Sequence, residues 1–125
     1  MQINDISGKI IECAIGVHKE LGSGLLENAY EACLLFELHR AGLKLQRQVS
    51  MPVLYDGVNI DVGYRLDLLV DDQVVVDLKS VAKLFPVHEA QLLTYLKLSG
   101  LKLGLLLNFN TRYLKNGIRT LANDL

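Results

Sequence analysis

Two aspartates and a lysine carry the chemistry this sequence offers most directly. Asp67 lies on one apolar run, and Asp77 stands on the next in the triplet Asp77-Leu78-Lys79. Side chains alternate along a strand, so Asp77 and Lys79 share a side. If the two runs form a hairpin, its register decides whether the acids meet. A two-residue loop at Asp71-Asp72 sets Asp67 opposite Val76 and sends the carboxylates to different faces. A three-residue loop, Asp71 to Gln73, sets Asp67 opposite Asp77 and Arg65 opposite Lys79, with the apolar residues of both strands on the other side. The binary pattern demands the second register or an equivalent bulge. Facing carboxylates repel, which costs sheet stability unless something positive sits between them. A divalent cation with hard oxygen ligands, Mg²⁺ or Mn²⁺, is the natural candidate, and the backbone carbonyl of Leu78 could complete one edge. An ion held there would offset the charge of a phosphodiester and lower the pKa of bound water, with Lys79 adding a point charge beside it.

Five further residues are candidates, four of them with a competing structural reading. Glu27 sits in Gly24-Leu25-Leu26-Glu27-Asn28-Ala29-Tyr30 near the start of a helix. With Gly24 as N-cap it would occupy N3, where the cap amide and the helix dipole favour a carboxylate whatever its function. Gln91 and Tyr95 place an amide and a phenol one turn apart on a later helix, with His88 one turn earlier. Tyr30 and Tyr95 fit equally well as half-buried core aromatics, and His88 as a cap or surface residue.

The elements that must position these groups follow from the periodicity. Ile6, Ile10, Cys13/Ala14, Val17 and Leu21 recur at helical spacing after Asn4 or Asp5 as a cap, and Gly22 ends that helix. Ser23-Gly24 opens a second helix with a stripe of Leu26, Ala29, Tyr30, Cys33 and Phe36/Glu37, closed by Gly42, so the two form a hairpin. From Lys44 the period drops to two, giving a first strand through Val49, Met51, Val53 and Tyr55, then a turn at Asp56-Gly57. A long second strand runs from Val58 to Val70, and Val74 to Lys79 forms the third. Pro86 opens a third helix that Gly100 stops, followed by an alternating fourth strand, Leu101 to Leu107, and a hairpin signal at Asn116-Gly117. A strand, helix, strand succession makes the third and fourth strands parallel.

The whole chain of 125 residues, 50% hydrophobic and 22% charged with a mean hydropathy of +0.26, reads as a single globular domain over 1–125 and excludes a disordered tail or linker. Its start has no basic n-region and no apolar run is long enough to cross a bilayer, so a soluble, non-secreted, cytoplasmic protein is expected. Cys13 and Cys33 lack metal or redox spacing and read as two small buried residues. The net charge of −1 hides an asymmetry. Residues 1–78 carry six Lys/Arg against twelve Asp/Glu, whereas residues 79–125 carry seven against two, so the C-terminal third can meet phosphates.

The set Glu27, Asp67, Asp77-Leu78-Lys79 and Gln91-x3-Tyr95 resembles the PD-(D/E)XK nuclease superfamily, and Gly24-x-x-Glu27-x-x-Tyr30 resembles the signature of its small GxxExxY family. The resemblance spans about Ile6 to Leu121. It implies an α/β, restriction-endonuclease-like αβββαβ core with an extra N-terminal helix and a mixed sheet flanked by helices. It also implies a Mg²⁺- or Mn²⁺-dependent nuclease acting on nucleic acid, DNA in the first instance. Asp67, Asp77 and Glu27 would be metal ligands, Lys79 would orient or activate the attacking water, and Gln91 and Tyr95, with His88 and Tyr30 nearby, would meet substrate. Asp77 stands where the GxxExxY family more usually shows Glu, a shorter reach to the metal. Two other readings compete: a non-catalytic nucleic-acid- or protein-binding module on the same fold, and a homodimer module built on the apolar fourth strand and the Leu-rich helices.

Overall fold

The computed structural model describes residues 1–123. The chain runs α1 (Ile3–Leu21), α2 (Glu27–Arg40), β1 (Leu45–Ser50), β2 (Val53–Tyr55), β3 (Val58–Ile60), β4 (Arg65–Val70), β5 (Val74–Lys79), α3 (Pro86–Ser99), β6 (Leu103–Asn108), a 3₁₀ turn (Leu114–Gly117) and β7 (Ile118–Ala122). Five strands form one sheet in the order β1-β4-β5-β6-β7, with β5 and β6 parallel and the other neighbours antiparallel. The sheet is therefore mixed, and the crossover between its parallel strands is α3, as the strand-helix-strand succession required.

Two apolar layers cover the sheet. Leu68, Val70, Val74, Val76, Leu78, Leu103, Leu105 and Leu107 pack with Ile6, Ile10, Ala14 and Val17 of α1 and Tyr30, Leu34 and Leu38 of α2. On the opposite face Val75 and Leu106 pack with Leu92, Tyr95 and Leu96 of α3. Gly104 has no side chain to hold α3 off: a Cβ there would lie 3.1 Å from Leu92. All six residues of β6 are buried, so its apolarity serves a central strand covered within its own chain, and the dimer face expected from it is taken up internally.

Several elements differ from the sequence reading for local reasons. The first strand divides into β1 and β2 at Met51-Pro52, where proline lacks an amide donor and Met51 N–H instead donates to Tyr64 O (2.9 Å). The long second strand divides into β3 and β4, because Gly63 takes φ 81° and its amide donates to Asp61 Oδ1 (2.9 Å), closing an Asx-type turn. The pair β2–β3, joined by Asp56-Gly57 as expected, forms a separate two-stranded sheet. Helix α2 begins at Glu27 with Leu26 as its N-cap and buries Tyr30, Glu31, Leu34 and Leu38; Phe36 and Leu26, assigned to the buried stripe, are 61% and 76% exposed. The helix is apolar on more than one face, and the side that packs on the sheet settles which stripe is buried. Helix α1 starts at Ile3 with Gln2 as its N-cap, before the Asn4 or Asp5 caps. Asn116-Gly117 lies in the 3₁₀ turn, not in a hairpin loop, and β7 pairs with β6 at the sheet edge. A Cβ on Gly117 would stand 2.3 Å from the carbonyl oxygen of Asn108, so close backbone approach requires glycine there. Cys13 and Cys33 are unpaired and half-buried, not fully buried, and burial first, then Glu12 and Glu37, pushes the Cys13 thiol above its ordinary value. Among the described residues no helix is long and apolar enough to cross a membrane.

Candidate active site

The β4–β5 hairpin has the register that brings the acids together. Val70 pairs with Val74, Leu69 with Val75 and Leu68 with Val76, which leaves Asp71 to Gln73 as a three-residue loop. Asp71 and Asp72 adopt left-handed backbone at φ 51° and 55°, which aspartate tolerates better than most residues, and Gln73 N–H closes the turn on Val70 O (3.0 Å). Asp71 Oδ1 accepts from Lys44 N–H (2.7 Å) and Asp72 pairs with Lys44 Nζ (2.7 Å), so the loop is anchored to the start of β1. Continued by one residue, the register sets Asp67 opposite Asp77. Asp67 Oδ2 accepts from the amide of Leu78 (2.9 Å), which fixes that carboxylate against the strand bearing the other.

Asp77 is 6% exposed. Its Oδ1 accepts from Lys79 Nζ at 3.2 Å, and its buried Oδ2 has no donor among the described residues. Burial, then the adjacent Asp67, raises the Asp77 carboxyl from 3.8 to about 7 against the pull of Lys79. Two ionised carboxylates cannot donate to one another, so the site needs a proton shared between them or a cation. Burial disfavours the Lys79 ammonium, but Asp77, Asp67 and Glu27 outweigh it and hold its pKa above the ordinary value. Lys79 is thus a firmly charged ammonium inside an acidic cluster.

The remaining candidates fall into three groups. Tyr95, on the inner face of α3 and 8% exposed, has its phenol raised by burial and then by Asp77, which places it within the field of the carboxylates; its ring lies 5.9 Å from that of Tyr64. Gln91 is exposed one helical turn earlier on α3. His88 is at the head of α3, where its Nδ1 accepts from Phe85 N–H (2.9 Å) and its own amide donates to Phe85 O (2.9 Å), so it serves as a cap. Glu27 is exposed at N1 of α2, not at N3, and among the described hydrogen bonds none returns its carboxylate to Gly24. It contributes to the field at Lys79, yet no three His, Cys, Asp or Glu residues among those described gather closely enough to hold an ion, so it is not drawn in as a third carboxylate beside Asp67 and Asp77.

Tyr30 is placed away from any substrate surface. It is fully buried, its ring stacks on Phe109 at 4.4 Å, and its hydroxyl donates to Gly22 O (2.6 Å) while accepting from Leu25 N–H (3.0 Å). It holds together the turn from which Glu27 emerges, and Ser80 Oγ, donating to Leu25 O (3.1 Å), ties the same turn to the end of β5. Arg65 turns its guanidinium to Ser50 Oγ and Tyr64 O. One positioning residue escaped the sequence reading. Asn108, 2% exposed, accepts from Val81 N–H (3.1 Å) and Asn110 N–H (3.2 Å) and donates to Val81 O (2.9 Å), while Phe109 N–H donates to Lys79 O (2.9 Å). This clamp fixes the backbone at Lys79 and just beyond it, at Val81. Its one sequence signal is a polar residue ending an unbroken apolar run.

Hard carboxylate oxygens, an orphaned buried acceptor and an adjacent backbone carbonyl at Leu78 fit a divalent oxygen-seeking cation. The paired aspartates, the lysine two residues beyond the second, and the mixed sheet with its α3 crossover together describe a restriction-endonuclease-like centre. No curated protein and no solved structure matches the chain. The sequence model of the PD-(D/E)XK nuclease superfamily, however, covers residues 4–121, nearly the full length and all of the residues just placed around Asp77: the chain belongs to the PD-(D/E)XK nuclease superfamily.

Proposed function

We propose that the protein is a metal-dependent phosphodiester hydrolase of the GxxExxY type acting on DNA, with the cytoplasm, where its two free thiols stay reduced, as its place of action. The observation that carries this reading is the buried Asp77 carboxylate beside half-buried Asp67, with Asp77 Oδ2 unsatisfied among the described residues and Lys79 Nζ 3.2 Å from Oδ1. A solvated sheet edge gives no reason to oppose two acids at the cost of their repulsion.

Asp67, Asp77 and the carbonyl of Leu78 are the groups that would hold Mg²⁺ or Mn²⁺, and Glu27 would serve a second ion only if its exposed side chain swung toward the pair. Such an ion supplies positive charge that polarises a phosphoryl oxygen and acidifies bound water. The protein's own residues do the rest. Asp67, fixed by the Leu78 amide, keeps the carboxylate pair in register. Lys79 holds a permanent ammonium beside the pair, where it orients the attacking water and stabilises charge that develops on the phosphorus oxygens in the transition state. Tyr95 and Gln91 are the residues of α3 that would contact the substrate strand. The basic C-terminal segment meets the phosphate backbone.

Calorimetric titration with Mn²⁺ or Mg²⁺ tests the reading. The wild type should bind, and Asp67→Asn should lose most of that affinity while remaining folded. Equal affinity in both would place the ion elsewhere, and no affinity in the wild type would favour the non-catalytic binding module.

A further inference from the structure

The turn that follows β6 builds a second charged feature, outside the carboxylate site. An open pocket of about 510 Å³ lies between the C-terminal end of α1 and residues 112–115, and its lining carries His18, Lys19, Arg112, Tyr113 and Lys115 and, among the described residues, no carboxylate. The larger groove between α1 and α2, about 740 Å³, has the opposite character, with Glu12, Glu20 and Glu37 against Arg40. The two grooves present opposite potentials, and a polyanion is directed to the first.

The basic turn is held in place and not left to wander. His18 Nε2 lies 2.8 Å from Thr111 O, and since a carbonyl can only accept, this nitrogen carries the proton. Thr111 Oγ1 sits between the carbonyls of Asn108 (3.3 Å) and Tyr113 (3.0 Å). Buried Leu114 anchors the far end. Tyr113 is 53% exposed, with the Arg112 guanidinium 5.3 Å and the Lys115 ammonium 5.9 Å from its ring centroid. Cations flanking an exposed aromatic face are the combination that holds a single strand, with phosphates on the charges and a base on the ring. The pocket is also mechanically joined to the carboxylate site. Phe109 bonds Lys79 O through its amide and stacks on Tyr30, whose hydroxyl holds Gly22 O, and Gly22 lines the pocket.

We infer that this pocket is a strand-binding subsite that takes a single-stranded segment of nucleic acid, with Lys19, Arg112 and Lys115 on successive phosphates and Tyr113 against a base. The inference rests on the nuclease reading for the identity of the polyanion and extends it to where the strand lies. It makes the substrate one with an unpaired segment beside the scissile bond, because a base within a duplex has no free face to stack on Tyr113.

The test is fluorescence anisotropy with a labelled oligothymidine of about 15 nucleotides and a duplex of equal length, without divalent metal, across a salt series. Arg112→Ala/Lys115→Ala should weaken single-strand binding roughly tenfold or more and lower the slope of log affinity against log salt by about 1.4. Tyr113→Ala should weaken the single strand roughly fivefold or more and the duplex little. Lys97→Ala/Lys102→Ala, an equal charge loss elsewhere in the basic segment, serves as the comparison. Equal losses from the two double variants would reduce the effect to diffuse charge and overturn the inference, as would an unchanged slope in Arg112→Ala/Lys115→Ala. Metal-dependent cleavage is scored separately on the same wild-type preparation. Cleavage with no effect at Arg112 and Lys115 refutes the subsite and leaves the nuclease reading standing. Pocket-dependent binding without cleavage refutes the nuclease reading and leaves the subsite.

Discussion

Asp77 shows how a single buried group can be read in both stability and function. Its carboxyl titrates near 7 in the folded chain against an ordinary 3.8, so between about pH 4 and pH 7 the native state binds more protons at this site than the unfolded state does. Stability contributed by the protonated form is fully present below about pH 4 and is lost as pH rises through 7. Asp77→Asn, which mimics the neutral acid, should therefore stabilise the metal-free protein above pH 7, by on the order of a few kcal/mol, and flatten the pH dependence there. Urea midpoints measured in EDTA from pH 5 to 9 for the two proteins give the comparison; parallel curves would mean that Asp77 is ionised without strain. Saturating Mg²⁺ should reverse the order, since an ion that binds only the folded wild type stabilises it by mass action. The facing of Asp67 and Asp77 was legible in the sequence because apolar alternation on both strands permits only the three-residue loop or an equivalent bulge. Asn108 was not, because its partner Val81 becomes a neighbour only after the parallel pairing of β5 and β6.

At the scale of elements, order and pairing were legible and exact extents were not. Periodicity specified the helices and the crossover, but it treats Val58 to Val70 as continuous, because the Asx turn at Asp61-Gly63 lies in residues that keep the alternation. Likewise α2 offers more than one apolar stripe, and only packing on the sheet chooses Tyr30, Leu34 and Leu38. Two substitutions test how the connecting turns support the site. Gly117→Ala places a methyl 2.3 Å from Asn108 O and must displace backbone, so it should cost about 2 kcal/mol or more in chemical denaturation. An unchanged midpoint would show that the 3₁₀ turn yields freely. Tyr30→Phe removes the hydroxyl shared by Gly22 O and Leu25 N–H, and a loss of about 1–3 kcal/mol is expected. Hydrogen exchange at the Leu25 amide should quicken in the same variant, because the turn leading to Glu27 loses its internal clamp. Protection equal to wild type would mean that Ser80 alone holds the turn.

Across the whole molecule, charge and topology act together. The strands bearing Asp77, Lys79 and Asn108 are parallel neighbours, so their C-terminal ends, and the basic turn that follows the second, emerge at the same end of the sheet. The acidic first two-thirds supplies the carboxylates and the α1–α2 groove, while the basic remainder supplies the surface that phosphates can approach. The charge asymmetry was visible in the sequence, but its gathering into one pocket depends on α1 and residues 112–115 meeting through His18 and Thr111, which no local pattern announces. The most direct measurement of the central claim is cleavage of DNA carrying a single-stranded segment, with Mn²⁺ or Mg²⁺, by wild type and by Lys79→Ala purified identically. The wild type should cut only with the metal, and Lys79→Ala should be slower by on the order of 100- to 1,000-fold while still binding the ion. Cleavage of equal rate in the two proteins, or none by a wild type that binds the metal, would contradict the account.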